Sequence, residues 1–88
     1  MNKDRRKQID ATITDLEKVR GQLEDILAAI SDLREEEQEY YDAMPCSFQE
    51  GEKGVAAEEA IGNLDNAIEE IENLDVDLVI SYLNEAQA

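Results

Sequence analysis

Apolar residues recur at intervals of three, four or seven along two long segments, and this spacing constrains the fold more than any other feature. Such intervals place side chains on one face of an α-helix. In heptad terms, Ile13, Leu27 and Tyr41 occupy e positions beside the stripe of a and d positions. The whole apolar stripe is therefore wider than a two-stranded coiled coil needs. The pattern predicts a helix over about residues 3–43, packed by two or more neighbours. Its a and d residues are Ile9, Leu16, Val19, Leu23, Ile26, Ile30, Leu33, Tyr40 and Met44.

Pro45 is predicted to end this first helix. Its ring disfavours helical geometry for Met44, and it lacks a backbone donor. Ser47 and Glu50 have the spacing of a capping box, which predicts a short helical turn beginning there. Glycines within 51–54 disfavour a continuous helix, so we expect a turn over about residues 44–54.

The second apolar series again fills a, d and e positions and predicts a helix over about residues 55–86. Beyond Leu74 little polar surface remains, because Val76, Leu78, Val79, Ile80, Tyr82 and Leu83 follow in close succession. Apolar residues around a whole helix indicate burial from more than one side, and a subunit interface is the expected cause. The series is Ala57, Ala60, Ile61, Leu64, Ala67, Ile68, Ile71, Leu74 and Leu78.

Two long helices joined by about ten residues predict an all-α fold, an antiparallel two-helix hairpin forming one domain over residues 1–88. A lone hairpin leaves one side of each broad apolar face uncovered. We therefore expect a homodimer, in which two hairpins pair into a four-helix bundle.

The chain has a net charge of −15, and from Gly54 onward it carries nine carboxylates and no lysine or arginine. The negative electrostatic field of such a chain repels nucleic acid and anionic membranes and favours association with a basic protein surface. Neighbouring like charges on a helix cost stability, so a function rather than folding would retain them. A solvated face is the alternative. The predicted partner-binding carboxylates are a ridge on the second helix, Glu58, Asp65, Glu69 and Glu72, together with Glu35, Glu36 and Glu39 near the bend.

Aromatic residues surround the bend: Tyr40, Tyr41 and Phe48. Aromatic side chains dominate interface hot spots, so an exposed binding anchor is one interpretation. The d and e placement of the tyrosines favours the other, a small aromatic core that closes the bend.

Residues with recognisable catalytic or ligand patterns are scarce. Without histidine there is no Ser-His-Asp triad, no imidazole base and no Glu-x-x-His ligand set. Asp75 and Asp77 do not form a calcium-loop pattern, and the single Cys46 excludes an intrachain disulfide. We predict a protein that is not an enzyme and has no cofactor or metal. No apolar run approaches the ~20 residues of a membrane span, so the expected location is the cytoplasm.

The segment Glu35-Glu36-Glu37-Gln38-Glu39-Tyr40-Tyr41-Asp42-Ala43-Met44-Pro45, followed by Phe48-Gln49 and Glu52-Lys53-Gly54, resembles small acidic helical proteins of phages and other mobile elements. Most of these have no assigned function, so the resemblance carries over no active-site residues. It implies a host-cell cytoplasm as the location. By analogy of size, charge and origin, it also implies a relation to inhibitors of host defence, some of which imitate DNA.

The sequence therefore predicts a binding protein that blocks a basic, nucleic-acid-binding surface of a host defence protein without binding nucleic acid itself. DNA mimicry is one interpretation of how it would do so. The alternative is a structural or scaffolding homo-oligomer with no inhibitory role, whose charge serves solubility.

Overall fold

The computed structural model describes all 88 residues, and its regular structure is entirely α-helical. Four helices follow one another: α1 Lys3–Asp42, α2 Cys46–Gln49, α3 Glu52–Glu72 and α4 Val76–Ala86. The predicted all-α helical hairpin is confirmed. The second long helix differs from its predicted range in two ways: it begins at Glu52 rather than near 55, and residues 73–75 interrupt it.

The chain forms two compact units. Unit 1 comprises Met1–Asp25 and Leu74–Ala88, and unit 2 comprises Ile26–Asn73. Each unit pairs part of α1 with a later helix, and the pairing in each is antiparallel. In unit 1 Arg20 contacts Asp77 and Asp10 contacts Gln87. In unit 2 Arg34 contacts Asp65, and Tyr41 contacts Glu58.

The heptad positions of α1 divide between covered and exposed in a regular way. The a positions, such as Leu16 and Ile30, and the e positions, such as Ile13 and Leu27, are buried or half-buried. The d positions are exposed: the side chains of Val19, Ile26, Leu33 and Tyr40 keep between 41% and 53% of their accessible surface. A single antiparallel partner covers only one side of a stripe this wide. Consequently, Ile13 and Ala57 are the only hydrophobic residues in the chain that count as buried, and Ile13 still keeps 9% of its surface.

α1 ends at Asp42, close to the predicted end near residue 43 and three residues before Pro45, but the predicted capping box does not form. Pro45 is the N-cap of α2, and its carbonyl accepts hydrogen bonds from the backbone N–H groups of Phe48 and Gln49 at 2.9 and 3.1 Å. No side chain caps this helix. Ser47 therefore lies inside α2 rather than at its start, because the rigid φ of proline already suits the entry to a helical turn.

Gly54 sets how closely α2 and α3 approach. A Cβ atom placed on Gly54 would lie 2.0 Å from the carbonyl oxygen of Gln49 and 2.4 Å from its carbonyl carbon. These are backbone atoms, so no rotamer change could relieve the clash. The short α2 packs against the first turn of α3 because residue 54 has no side chain.

The interruption at residues 73–75 is produced by Asp75. Its carboxylate accepts a hydrogen bond from the backbone N–H of Leu78 at 2.9 Å, which makes Asp75 the N-cap of a new helix, α4. An N-cap residue has non-helical backbone geometry, as Asp75 does at φ −95° and ψ 79°. The stability gained from this cap offsets the stability lost by interrupting the helix.

Candidate functional site

The negative charge is concentrated in one unit. Unit 2 contains fourteen Asp and Glu residues against two basic residues, for a net charge of −12. Unit 1 contains nine acidic and six basic residues, for a net charge of −3, and the two values together give the −15 of the chain. Unit 2 is therefore the candidate site for a basic partner.

Two carboxylates of the predicted ridge accept hydrogen bonds within unit 2. Glu58 accepts a hydrogen bond from the Tyr41 hydroxyl at 2.5 Å, and this bond raises the pKa of Tyr41 above its ordinary value. Asp65 accepts from Nε of Arg34 at 2.9 Å, and this bond raises the pKa of the Arg34 guanidinium. The Asp65 side chain still exposes 51% of its surface. Both carboxylates thus join α3 to α1 while part of each remains in solvent.

The other two ridge members, Glu69 and Glu72, are exposed, and their carboxylates make no hydrogen bond or ion pair within the chain. The residues predicted near the bend behave similarly: Glu36 and Glu39 are exposed without a partner, and Glu35 makes one long contact of 3.5 Å with Arg34.

Glu59 and Glu70 were not among the predicted site residues, yet both are exposed on α3 and free of partners. They lie eleven residues apart, which is about three helical turns, so both are on the same side of the helix but roughly 16 Å apart. Helical phase could have revealed them. The spacing of seven, four and three residues that starts at Glu58 excludes both positions, because they lie about 100° further around the helix.

The aromatic residues of the bend do not form a closed core. Tyr40 and Phe48 are 51% and 56% exposed, whereas Tyr41 is half-buried. The Tyr41 carbonyl also accepts a hydrogen bond from Nε2 of Gln49 at 3.1 Å. The expectation of an aromatic core is therefore wrong for Tyr40 and Phe48. A two-helix layer has no third element to cover a d position or the outer side of α2.

An apolar groove lies within unit 1. Its volume is about 290 Å³, and Asp75 is the only polar residue in its walls. The carboxylate of Asp75 is already committed to the Leu78 N–H. The groove carries no polar group that would orient a small polar substrate. Its lining residues are Leu16, Val19, Leu23, Leu74, Asp75, Val76 and Val79.

Side chains suited to metals or reactive chemistry do not gather anywhere in the chain. No three His, Cys, Asp or Glu residues come together in a group that could hold a metal ion. Cys46 is exposed and unpaired. None of the helices combines the length and apolarity that crossing a bilayer requires.

Comparison with known proteins gives no match: the sequence fits no protein-family model, and no curated protein and no solved structure is significantly similar to it.

Proposed function

We propose that this chain is a non-enzymatic binding protein whose unit 2 occupies a basic, nucleic-acid-binding surface of a host protein. The observation that carries the proposal is the segregation of charge: unit 2 holds twelve of the fifteen net negative charges. A surface of one sign attracts a partner of the opposite sign and accelerates its capture.

The exposed carboxylates of unit 2 could contact such a partner directly. Glu69 and Glu72 are neighbours on one face of α3, with Cβ atoms ~5–6 Å apart, as are residues three or four apart in any helix. Successive phosphates of one DNA strand advance by about 3.4 Å along the axis. The carboxylate spacing is of the same order, which supports imitation of a phosphate backbone. A defence protein of the host is the partner that the resemblance to mobile-element proteins implies.

Paired charge reversals test this proposal against a control of equal net charge. The test variant is Glu69→Lys with Glu72→Lys in unit 2, chosen because neither side chain has a partner within the chain. The control is Asp15→Lys with Asp25→Lys in unit 1, which are also exposed and make no side-chain bond. Both variants have a net charge of −11, so any difference reports position rather than total charge.

The immobilised chain would be exposed to host lysate, washed with rising salt, and its bound proteins identified by mass spectrometry. We expect basic nucleic-acid-binding proteins that duplex DNA displaces and that moderate salt releases, because exposed charge pairs are screened. The unit 2 variant should lose them, and the control should retain them. The wild-type chain itself should not bind DNA in a fluorescence anisotropy titration.

Three results would refute the proposal: equal capture by both variants, equal loss in both, or direct binding of the chain to DNA. If the wild-type chain captures only itself, the structural homo-oligomer becomes the better function. The exposed apolar residues of α4, Leu78, Val79 and Tyr82, are the observation that favours this second candidate.

A further inference from the structure

The chain exposes more surface than a compact folded protein of its mass. Its accessible surface is 6559 Å² for 9.9 kDa, whereas folded monomers of that mass average ~5,200 Å². The excess of roughly 1,350 Å² exceeds the about 800 Å² that each partner loses in a standard stable interface. An excess of this size is large enough to supply one side of a standard interface.

Part of this surface forms one continuous apolar face in unit 1. On α4 the half-buried residues Val76, Ile80 and Leu83 lie on one face, and Leu78, Val79 and Tyr82 continue the apolar surface around the helix. The side chains of these last three residues keep between 48% and 68% of their accessible surface. Val79 also lines the groove of about 290 Å³. Apolar side chains thus occupy about twice the arc of α4 that one neighbouring helix can cover.

We propose that this face of unit 1 is a self-association surface and that its occupant is unit 1 of a second copy of the chain. A symmetric dimer places the same patch on both sides of the interface, so each apolar face covers the other. The proposal concerns unit 1 alone and does not depend on the function proposed for unit 2.

Charge supports a second copy as the occupant. A net charge of −3 for unit 1 opposes self-association far less than the −12 of unit 2 would. Five of the six basic residues in unit 1 have no ion-pair partner within the chain; Arg20, which contacts Asp77, is the exception. Of the nine carboxylates in unit 1, Asp10, Asp75 and Asp77 already have partners within the chain, so a second copy supplies six free carboxylates. The free cations that they would meet are Lys3, Arg5, Arg6, Lys7 and Lys18.

Sedimentation equilibrium of the full chain over a range of concentrations tests the proposal. The wild-type chain should show twice the chain mass of 9.9 kDa. The variants Val79→Glu and Tyr82→Glu introduce a charge into the patch on both copies at once. We expect each to weaken self-association by about a hundredfold or more, as loss of a hot-spot residue does. Circular dichroism should show unchanged helicity, because both side chains are exposed in the single chain.

Two matched substitutions serve as controls. Ser81→Glu adds the same charge on the polar side of α4, and Leu33→Glu adds it at an exposed d position of unit 2. Both should associate as the wild-type chain does. A wild-type chain that stays monomeric at hundreds of micromolar overturns the proposal. So does a dimer that Leu33→Glu dissociates while the two unit 1 variants leave it intact.

Discussion

Replacing Gly54 with alanine should push α2 away from α3 and lower the stability of unit 2. The new Cβ would lie 2.0 Å from the Gln49 carbonyl oxygen, whereas real Cβ contacts below 3.0 Å essentially never occur. The two backbones must therefore separate by at least about 1 Å. Such a displacement disturbs the hydrogen bond from Gln49 to the Tyr41 carbonyl, which joins the bend to α1.

The change in the free energy of unfolding on Gly54→Ala combines two opposing effects. Overpacking a close contact typically costs ~1–3 kcal/mol, and a backbone obstacle places Gly54→Ala toward the upper end. Alanine gains up to ~0.5–1 kcal/mol over glycine in a helix. The clash should dominate, with a net loss of about 1–2 kcal/mol. At ~4–8 °C per kcal/mol for a domain of this size, the melting temperature should fall by roughly 5–15 °C.

Gly62→Ala and Gly21→Ala are the matched controls. At neither position does an atom outside the local helical backbone lie within 4 Å of the added Cβ, and both lie inside helices. Each should raise the melting temperature by a few degrees, because only the helix propensity changes. Thermal melts followed by circular dichroism at one protein concentration measure all three variants. If Gly54→Ala melts at or above the wild-type temperature while the controls behave as expected, the close approach of α2 and α3 is wrong.

Three further predictions concern charge and the packing of unit 2. The hydrogen bond to Glu58 raises the folded-state pKa of Tyr41. The contribution of this bond to the free energy of unfolding is therefore complete below pH ~10 and is lost as pH rises through the folded pKa. Tyr41→Phe should abolish this alkaline loss of stability, and a tyrosinate absorbance titration that places Tyr41 at or below 10 would contradict it. The melting temperature of the wild-type chain should rise with sodium chloride, because salt screens the repulsion in unit 2; equal values at low and high salt would show that the charges do not repel appreciably. Leu64→Asp should destabilise the chain by more than about 2 kcal/mol in urea unfolding, because it places an unpaired charge on the covered face of α3. Leu33→Asp at an exposed position should have a much smaller effect on the same measurement, and equal losses would mean that the two faces are not distinct.

The helical class, the two long apolar segments and the end of α1 before Pro45 could all be predicted from the sequence. Each depends on local physics: a helix repeats every 3.6 residues, and proline denies both a donor and the preceding helical geometry. The start of α4 was also encoded locally. Asp75 directly before the apolar residue Val76 is an N-cap pattern, but the apolar run through this region suggested an uninterrupted helix.

The candidate site was only partly predictable for a different reason. The sequence shows that Glu58, Asp65, Glu69 and Glu72 share one face of α3, and the structure has all four exposed on that helix. It does not show which of them lie across from Tyr41 and Arg34 on α1. Which carboxylates lie there depends on the register between α1 and α3, which is a tertiary property. In the observed register, only Glu69 and Glu72 of the four have side chains free of partners.

The sequence by itself determined the amount of charge, the absence of lysine and arginine from Gly54 onward, and an apolar stripe wider than one partner covers. From the heptad pattern alone, the a, d and e positions of α1 were all expected to be buried. Only the tertiary structure decided that the a and e positions face the neighbouring helix while the d positions Val19, Ile26, Leu33 and Tyr40 stay in solvent. The physical reason is that a helix's periodicity fixes the width of its apolar stripe, whereas the rotation of the helix against its neighbour selects which part of that stripe is covered.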